Sequence, residues 1–155
     1  MRFFPRPAET RASRLRHVSL LSTLSPRQLR SIDSLLHWRS YLQGEIIFDA
    51  GDEGQAIYFV IAGSVEICRQ GEAGTPIATL GPGSYFGEMA LLDAAPRSAQ
   101  ARATTDCELG ALYRGDFLGL LDTHAAVASR LSLALARELG QRLRDLLKKQ
   151  AAGSQ

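Results

Sequence analysis

The chain has 155 residues, of which 45% are hydrophobic, and carries a formal net charge of +2. That length is most simply one domain, able to bury about 70% of the surface its unfolded chain would expose without help from disulfides or metals. A charge so close to neutral argues against nucleic-acid binding as the main task, and no uninterrupted apolar run is long enough to span a bilayer.

The N-terminus crowds Arg2, Arg6, Arg11, Arg14 and Arg16 together, which reads as a basic, mobile, solvated arm over residues 1–18. Those arginines stand where a signal peptide would need its apolar core, so the chain reads as cytoplasmic. Residues 19–149 form the expected domain. Ser25-Pro26 is a helix start, with a hydroxyl at the cap and proline at the first helical position, and Leu29, Ile32, Leu35 and Leu36 follow at helical spacing. His37 reads as part of that helix's end.

From Ser40 to Arg114 the texture changes to short β-branched and aromatic runs: Glu45 to Phe48, Ile57 to Ile61, Val65 to Arg69 and Ile77 to Leu80. Glycines punctuate them at Gly44, Gly51, Gly54, Gly63, Gly71, Gly74, Gly81 and Gly83. Short strands with glycine turns and no helical crossovers argue for a sandwich or barrel. Cys68 and Cys107 fall in such runs, with no Cys-x-x-Cys, and read as buried reduced thiols. After Gly115 the helical period returns, and Leu131, Leu135, Leu139, Leu143 and Leu146 draw one stripe down a long amphipathic helix. The stripe can pack on the barrel, cover a ligand or pair with a second copy. Residues 150–155 read as a frayed tail.

The most informative stretch is Phe86 to Ala99, Phe-Gly-Glu-Met-Ala-Leu-Leu-Asp-Ala-Ala-Pro-Arg-Ser-Ala. Gly87 lets backbone approach an anion, the N–H groups of Met89 and Ala90 open a short turn, and Glu88 and Arg97 supply a carboxylate and a guanidinium. For an arbitrary Glu and Arg at this spacing a surface ion pair is the ordinary reading. With Gly87 before one and Pro96 and Ser98 around the other, ligand binding is favoured.

This stretch resembles the phosphate-binding cassette of cyclic-nucleotide-binding domains, as found in kinase regulatory subunits, gated channels and the bacterial catabolite activator. Gly44-Glu45-Ile46-Ile47-Phe48, Gly51-Asp52-Glu53-Gly54 and Tyr58 to Val65 resemble the family's early strands and turns, and Leu109 to Phe117 its closing strand. The resemblance implies a mainly β fold with flanking helices: an eight-stranded jelly-roll β-barrel of the cupin-like kind over residues 40–114, an N-terminal helix, and C-terminal lid helices over 115–149.

It also implies roles. Arg97 and Ser98 would hold the cyclic phosphate, Glu88 would accept the ribose 2′-hydroxyl proton, and Phe86, Gly87, Met89, Ala90 and Ala99 would complete the wall. Arg142 and Leu143 on the long helix would meet the purine, while Leu91 and Leu92 would act as a hydrophobic latch. Ser98, where relatives preferring cyclic GMP often carry threonine, favours cyclic AMP, with cyclic GMP as the second ligand. Gln55 departs from the aspartate that relatives often carry in that turn.

The expected function is therefore a stand-alone cyclic AMP sensor that switches its C-terminal helices, with no cofactor, an unknown protein effector, and a homodimer through the long helix as a further partnership. No DNA binding by this chain alone and no membrane contact are expected. The alternatives are the ligand-sensing part of a transcription regulator, and a cupin-type metalloenzyme, against which stands the expectation that none of His17, His37 and His124 lies in the strand region. No nucleophile, base and oxyanion set converges in any motif, so the chain reads as a non-enzyme.

Overall fold

The computed structural model describes residues 9–69 and 75–153. Arg2, Arg6, Gly71, Gly74 and the last two residues of the expected tail lie outside them. The elements are α1 (Arg11–Leu15), a 3-10 turn (Ser19–Leu21), α2 (Pro26–Asp33), β1 (His37–Tyr41), β2 (Ile46–Phe48), β3 (Ala56–Ala62), β4 (Val65–Arg69), β5 (Pro76–Leu80) and β6 (Tyr85–Phe86). A second 3-10 turn (Glu88–Leu91), β7 (Ala99–Ala103), β8 (Cys107–Tyr113), α3 (Arg114–Thr123) and α4 (Ala125–Gly153) complete them.

The strands form two four-stranded antiparallel sheets, ordered β1-β8-β3-β6 and β2-β7-β4-β5. This is the mainly β jelly roll with helices at both ends that the resemblance implied. Its central strand β3 shows why the sequence reads as continuous apolar rather than alternating. Ile57 and Phe59 face the helices, in a core shared with Leu15, Ile32, Leu112, Leu120 and Leu131, whereas Val60 and the partly buried Tyr58 face the space between the sheets with Val65, Phe86, Ala101 and Leu109. A strand covered on both faces has no polar side to display. The β3–β4 turn rests on Gly63, at φ +86°, where a Cβ would fall 2.2 Å from the Asp106 carbonyl oxygen.

The N-terminal arm differs from the mobile-tail expectation. Thr10 caps α1 by accepting from the Ser13 N–H at 3.1 Å, Arg14 pairs with Glu108 of β8 at 2.9 Å, and Arg11 lies over the Trp38 ring at 5.1 Å. Leu15 and Val18 are buried in the helix-side core. Leu15, between Arg14 and Arg16, and Val18 just after them thus dock the described part of the arm. α2 starts as expected, with a reciprocal cap between Ser25 and Gln28 behind Pro26. It ends at Asp33, because the Leu35 and Leu36 amides bond back only three residues, to Ile32 and Asp33. His37 therefore opens β1 instead of closing the helix, so one histidine does stand in a strand.

At the other end, α4 runs to Gly153 through residues expected to fray. Its first half is held by Val127, Ala128, Leu131 and Leu135 in the core, and Leu139 is partly buried. Further along, Leu143, Leu146 and Leu147 are each more than half exposed. Cys68 and Cys107 are buried free thiols. Among the described residues no helix is long and apolar enough to cross a membrane.

Candidate ligand-binding site

The cavity that concentrates the sequence's chemistry has a volume of about 500 Å³ and lies between the β6–β7 segment, the β4–β5 face and α4. Phe86, Gly87, Glu88, Met89, Ala90, Arg97, Ser98, Ala99 and Arg142 all line it. Leu143 does not: it is 58% exposed on the neighbouring position of α4.

Gly87 makes the site possible. Its φ of +74° turns the chain from β6 into the 3-10 turn, and a Cβ there would meet Arg97 Nη1 at 2.6 Å. Glycine is required both by the left-handed backbone and by the guanidinium packed on it. The Ala90 N–H donates to the Gly87 carbonyl at 3.1 Å, so it is engaged within the turn and could serve an anion only by sharing. Leu91 is buried at 3% exposure, whereas Leu92 is 55% exposed. The expected pair of latch residues thus has only one member in the core.

Arg97 is fixed from several sides. The Arg97 N–H donates to the Asp52 carbonyl at 2.7 Å, and the Gly51 N–H donates to the Arg97 carbonyl at 2.8 Å, which zips the segment before β7 to the β2–β3 turn. Its side chain donates from Nη2 to the Ala56 carbonyl at 2.7 Å and from Nη1 to the Gly87 carbonyl at 3.2 Å. The guanidinium lies 4.2 Å from the Phe48 ring centroid. Its Nε is buried without a hydrogen-bond partner. Burial pushes the Arg97 pKa down, against the opposing pull of Tyr58, Asp52 and Glu88.

Glu88 pairs with Arg142 of α4, its own side chain 12% exposed. Burial alone would lower the Arg142 pKa, but the Glu88 carboxylate outweighs it and the net direction is upward. The Arg142 guanidinium also lies 5.7 Å from the Tyr85 ring centroid. The Tyr85 hydroxyl is buried beside the Glu138 carboxylate, and burial first, then that carboxylate, push its pKa up. The rest of the cavity wall is apolar, from Phe48, Ile67, Ile77, Ala78 and Leu80.

Sequence reasoning missed several of these contributors. Tyr58 stacks on Phe86 and Phe48 tilts against both, forming one aromatic group beneath Arg97. As residues of ordinary strand-forming type they carry no local signal; only the two-residue period of β3, which aims Tyr58 and Val60 inward, could have placed Tyr58. Tyr85 could have been found by its position directly before Phe86.

A cavity of this size with a half-buried guanidinium, a carboxylate and an apolar slot is suited in charge and shape to an anionic, partly apolar small molecule. Residues 38–124 match the model of the cyclic nucleotide-binding domain, and the chain belongs to that family. It is 44% identical to the cyclic AMP receptor protein of Thermus thermophilus over 122 residues, 77% of this chain and 56% of that protein. It is 31% identical to lysophospholipase nte1 of Aspergillus oryzae over 94% of this chain but 10% of that protein. Among solved structures, the N-terminal domain of a transcriptional regulator from Streptomyces coelicolor superposes with a TM-score of 0.74 at 30% identity, covering 83% of this chain and 94% of that one. The chain thus spans about half, or much less, of the two curated relatives.

Gly87→Ala should destabilise the fold by about 1–2 kcal/mol from its left-handed backbone alone, with the clash against Arg97 added. Urea unfolding measures it, and a variant as stable as the parent would contradict the account of this turn.

Proposed function

We propose that this chain is a cyclic-nucleotide sensor module that binds cyclic AMP in the β6–β7 cavity and signals through α3 and α4, acting by binding and not by catalysis. The observation that carries the reading is Arg97: a half-buried guanidinium against an aromatic ring, with its Nε unpaired, beside a cavity of nucleotide size. A guanidinium keeps its charge at any working pH, and its fork of donors suits phosphate oxygens. An incoming cyclic phosphate would complete its pairing, with Ser98 adding a hydroxyl donor.

Glu88 then reads the sugar. Its carboxylate retains acceptor capacity beyond the Arg142 bond and can take the proton of a ribose 2′-hydroxyl. The purine fits the apolar slot of Ile67, Ile77, Ala78 and Leu80, with Arg142 over it; Leu143 would join only by a shift of α4 or from a second copy. The name of the Thermus relative supports cyclic AMP as the ligand, and cyclic GMP remains the second candidate. The similarity to a segment of a lysophospholipase is compatible with such a module serving a larger protein.

A homodimer through the second half of α4 is part of the proposal, because Leu143, Leu146 and Leu147 expose a continuous apolar surface. Light scattering should give a dimer that Leu146→Glu converts to monomer; a monomeric parent would remove this part. The effector is a protein that reads the position of α3 and α4.

Calorimetric titration with cyclic AMP, cyclic GMP, 5′-AMP and 2′-deoxy cyclic AMP tests the site, ring, base and sugar together. Cyclic AMP should bind tightest, and Arg97→Ala should weaken it by at least about a hundredfold, from two charge-assisted bonds of ~1.5 kcal/mol or more each. Glu88→Ala should erase the preference for ribose over deoxyribose. Equal binding by parent and Arg97→Ala would sink the assignment.

A further inference from the structure

The cavity residues do not include the arginine that ties the ligand-gripping turn to the lid. Arg114 is the first residue of α3, and its Nη1 lies 2.8 Å from the Asp93 carbonyl, 2.9 Å from that of Ala90 and 3.0 Å from that of Gly54. Its backbone N–H donates to the Gln55 carbonyl at 2.8 Å. One side-chain nitrogen thus bridges the end of the Glu88–Leu91 turn, the β2–β3 turn and the start of α3.

Two features make this more than a static brace. Nη1 has two protons and faces three carbonyl oxygens, so one acceptor is always surplus. The turn can shift against the Gly54 wall while Arg114 exchanges acceptors and keeps two bonds, which removes the usual cost of moving a buried polar group. The second feature is contact with the anion site. A Cβ on Gly54 would sit 3.6 Å from Arg97 Nε and 3.0 Å from the Ala95 carbonyl, so the wall that Arg114 grips is the one behind Arg97. On its other side Arg114 leads into Phe117 and Leu120, which share a core with Val127, Ala128 and Leu131 of α4.

We propose that Arg114 is a positioning residue that transmits displacement of the cassette turn to α3 and α4. It does so by trading the Gly54, Ala90 and Asp93 carbonyls as the turn moves. The inference rests on the ligand reading given above and adds the route by which occupancy reaches the lid. A ligand shifts that equilibrium only through unequal affinity for the two arrangements, and Arg114 supplies the link that makes turn and helix positions unequal together.

The test is amide hydrogen exchange on the full chain with and without saturating cyclic AMP, for the parent, Arg114→Gln and Arg114→Lys. Arg114→Gln should bind cyclic AMP within about tenfold of the parent and keep the ligand-dependent change at residues 87–93. It should lose the change at residues 114–153. Arg114→Lys, with three protons on a single nitrogen, should restore it. An undiminished response of α3 and α4 in Arg114→Gln would overturn the proposal while leaving the ligand assignment standing. Failure of the parent to bind any cyclic nucleotide would remove both. Should Arg114→Gln not fold, nitrogen resonances of the Arg114 guanidinium in the parent decide: they should shift on saturation with cyclic AMP, and unmoved resonances overturn the proposal.

Discussion

The arrangement depends on a guanidinium that cannot lose its charge and is nevertheless half-buried against an aromatic ring. Arg97 over Phe48 is costly to leave unpaired, since even a half-buried ion gives up part of its hydration and needs partners in exchange. The surroundings answer that cost with backbone. The Ala56 and Gly87 carbonyls take two of its donors, and the Asp52 and Gly51 bonds lock its main chain. Carbonyl dipoles hold a cation in place without neutralising it. The site therefore stays electropositive and incomplete, which suits capture of a phosphate.

The same constraint explains the glycine and the strand order. A guanidinium reaching from the start of β7 to the ends of β3 and β6 needs those ends close together and needs no side chain between them. Gly87 removes the side chain, and the β3–β6 pairing, with Tyr58 opposite Phe86, brings the ends together. Opposing Arg97 across the cavity is α4, whose Arg142 holds Glu88. Helices α3 and α4 are thus joined to the cassette at two separated points, through the Glu88–Arg142 pair at the mouth and the Arg114 bonds at the base of α3.

Much of this was legible in the sequence because local chemistry dictated it. The cap at Ser25-Pro26, the glycine-punctuated strands and the cassette from Phe86 to Ala99 each carry their cause within a few residues. What escaped depends on tertiary placement. The arginines of the first turns suggested a solvated arm, but Leu15 among them and Val18 just beyond find a core made by β3, β8 and α4, distant in sequence. Leu35 and Leu36 keep helical spacing yet lie beyond α2, since burial against the barrel decides their positions more strongly than periodicity. Arg114 gave no signal at all, because its partners are main-chain carbonyls that any residue could supply. Leu143 illustrates the converse: family resemblance placed it over the base, and in the described chain it faces outward.

The measurement that bears most directly on the central claim is a crystal structure of the chain grown with cyclic AMP. The account predicts the cyclic phosphate within hydrogen-bond distance of the Arg97 guanidinium and the ribose 2′-hydroxyl on Glu88, with the purine among Ile67, Ile77 and Leu80. A nucleotide bound elsewhere, with Arg97 still closed on the Ala56 and Gly87 carbonyls, would contradict it.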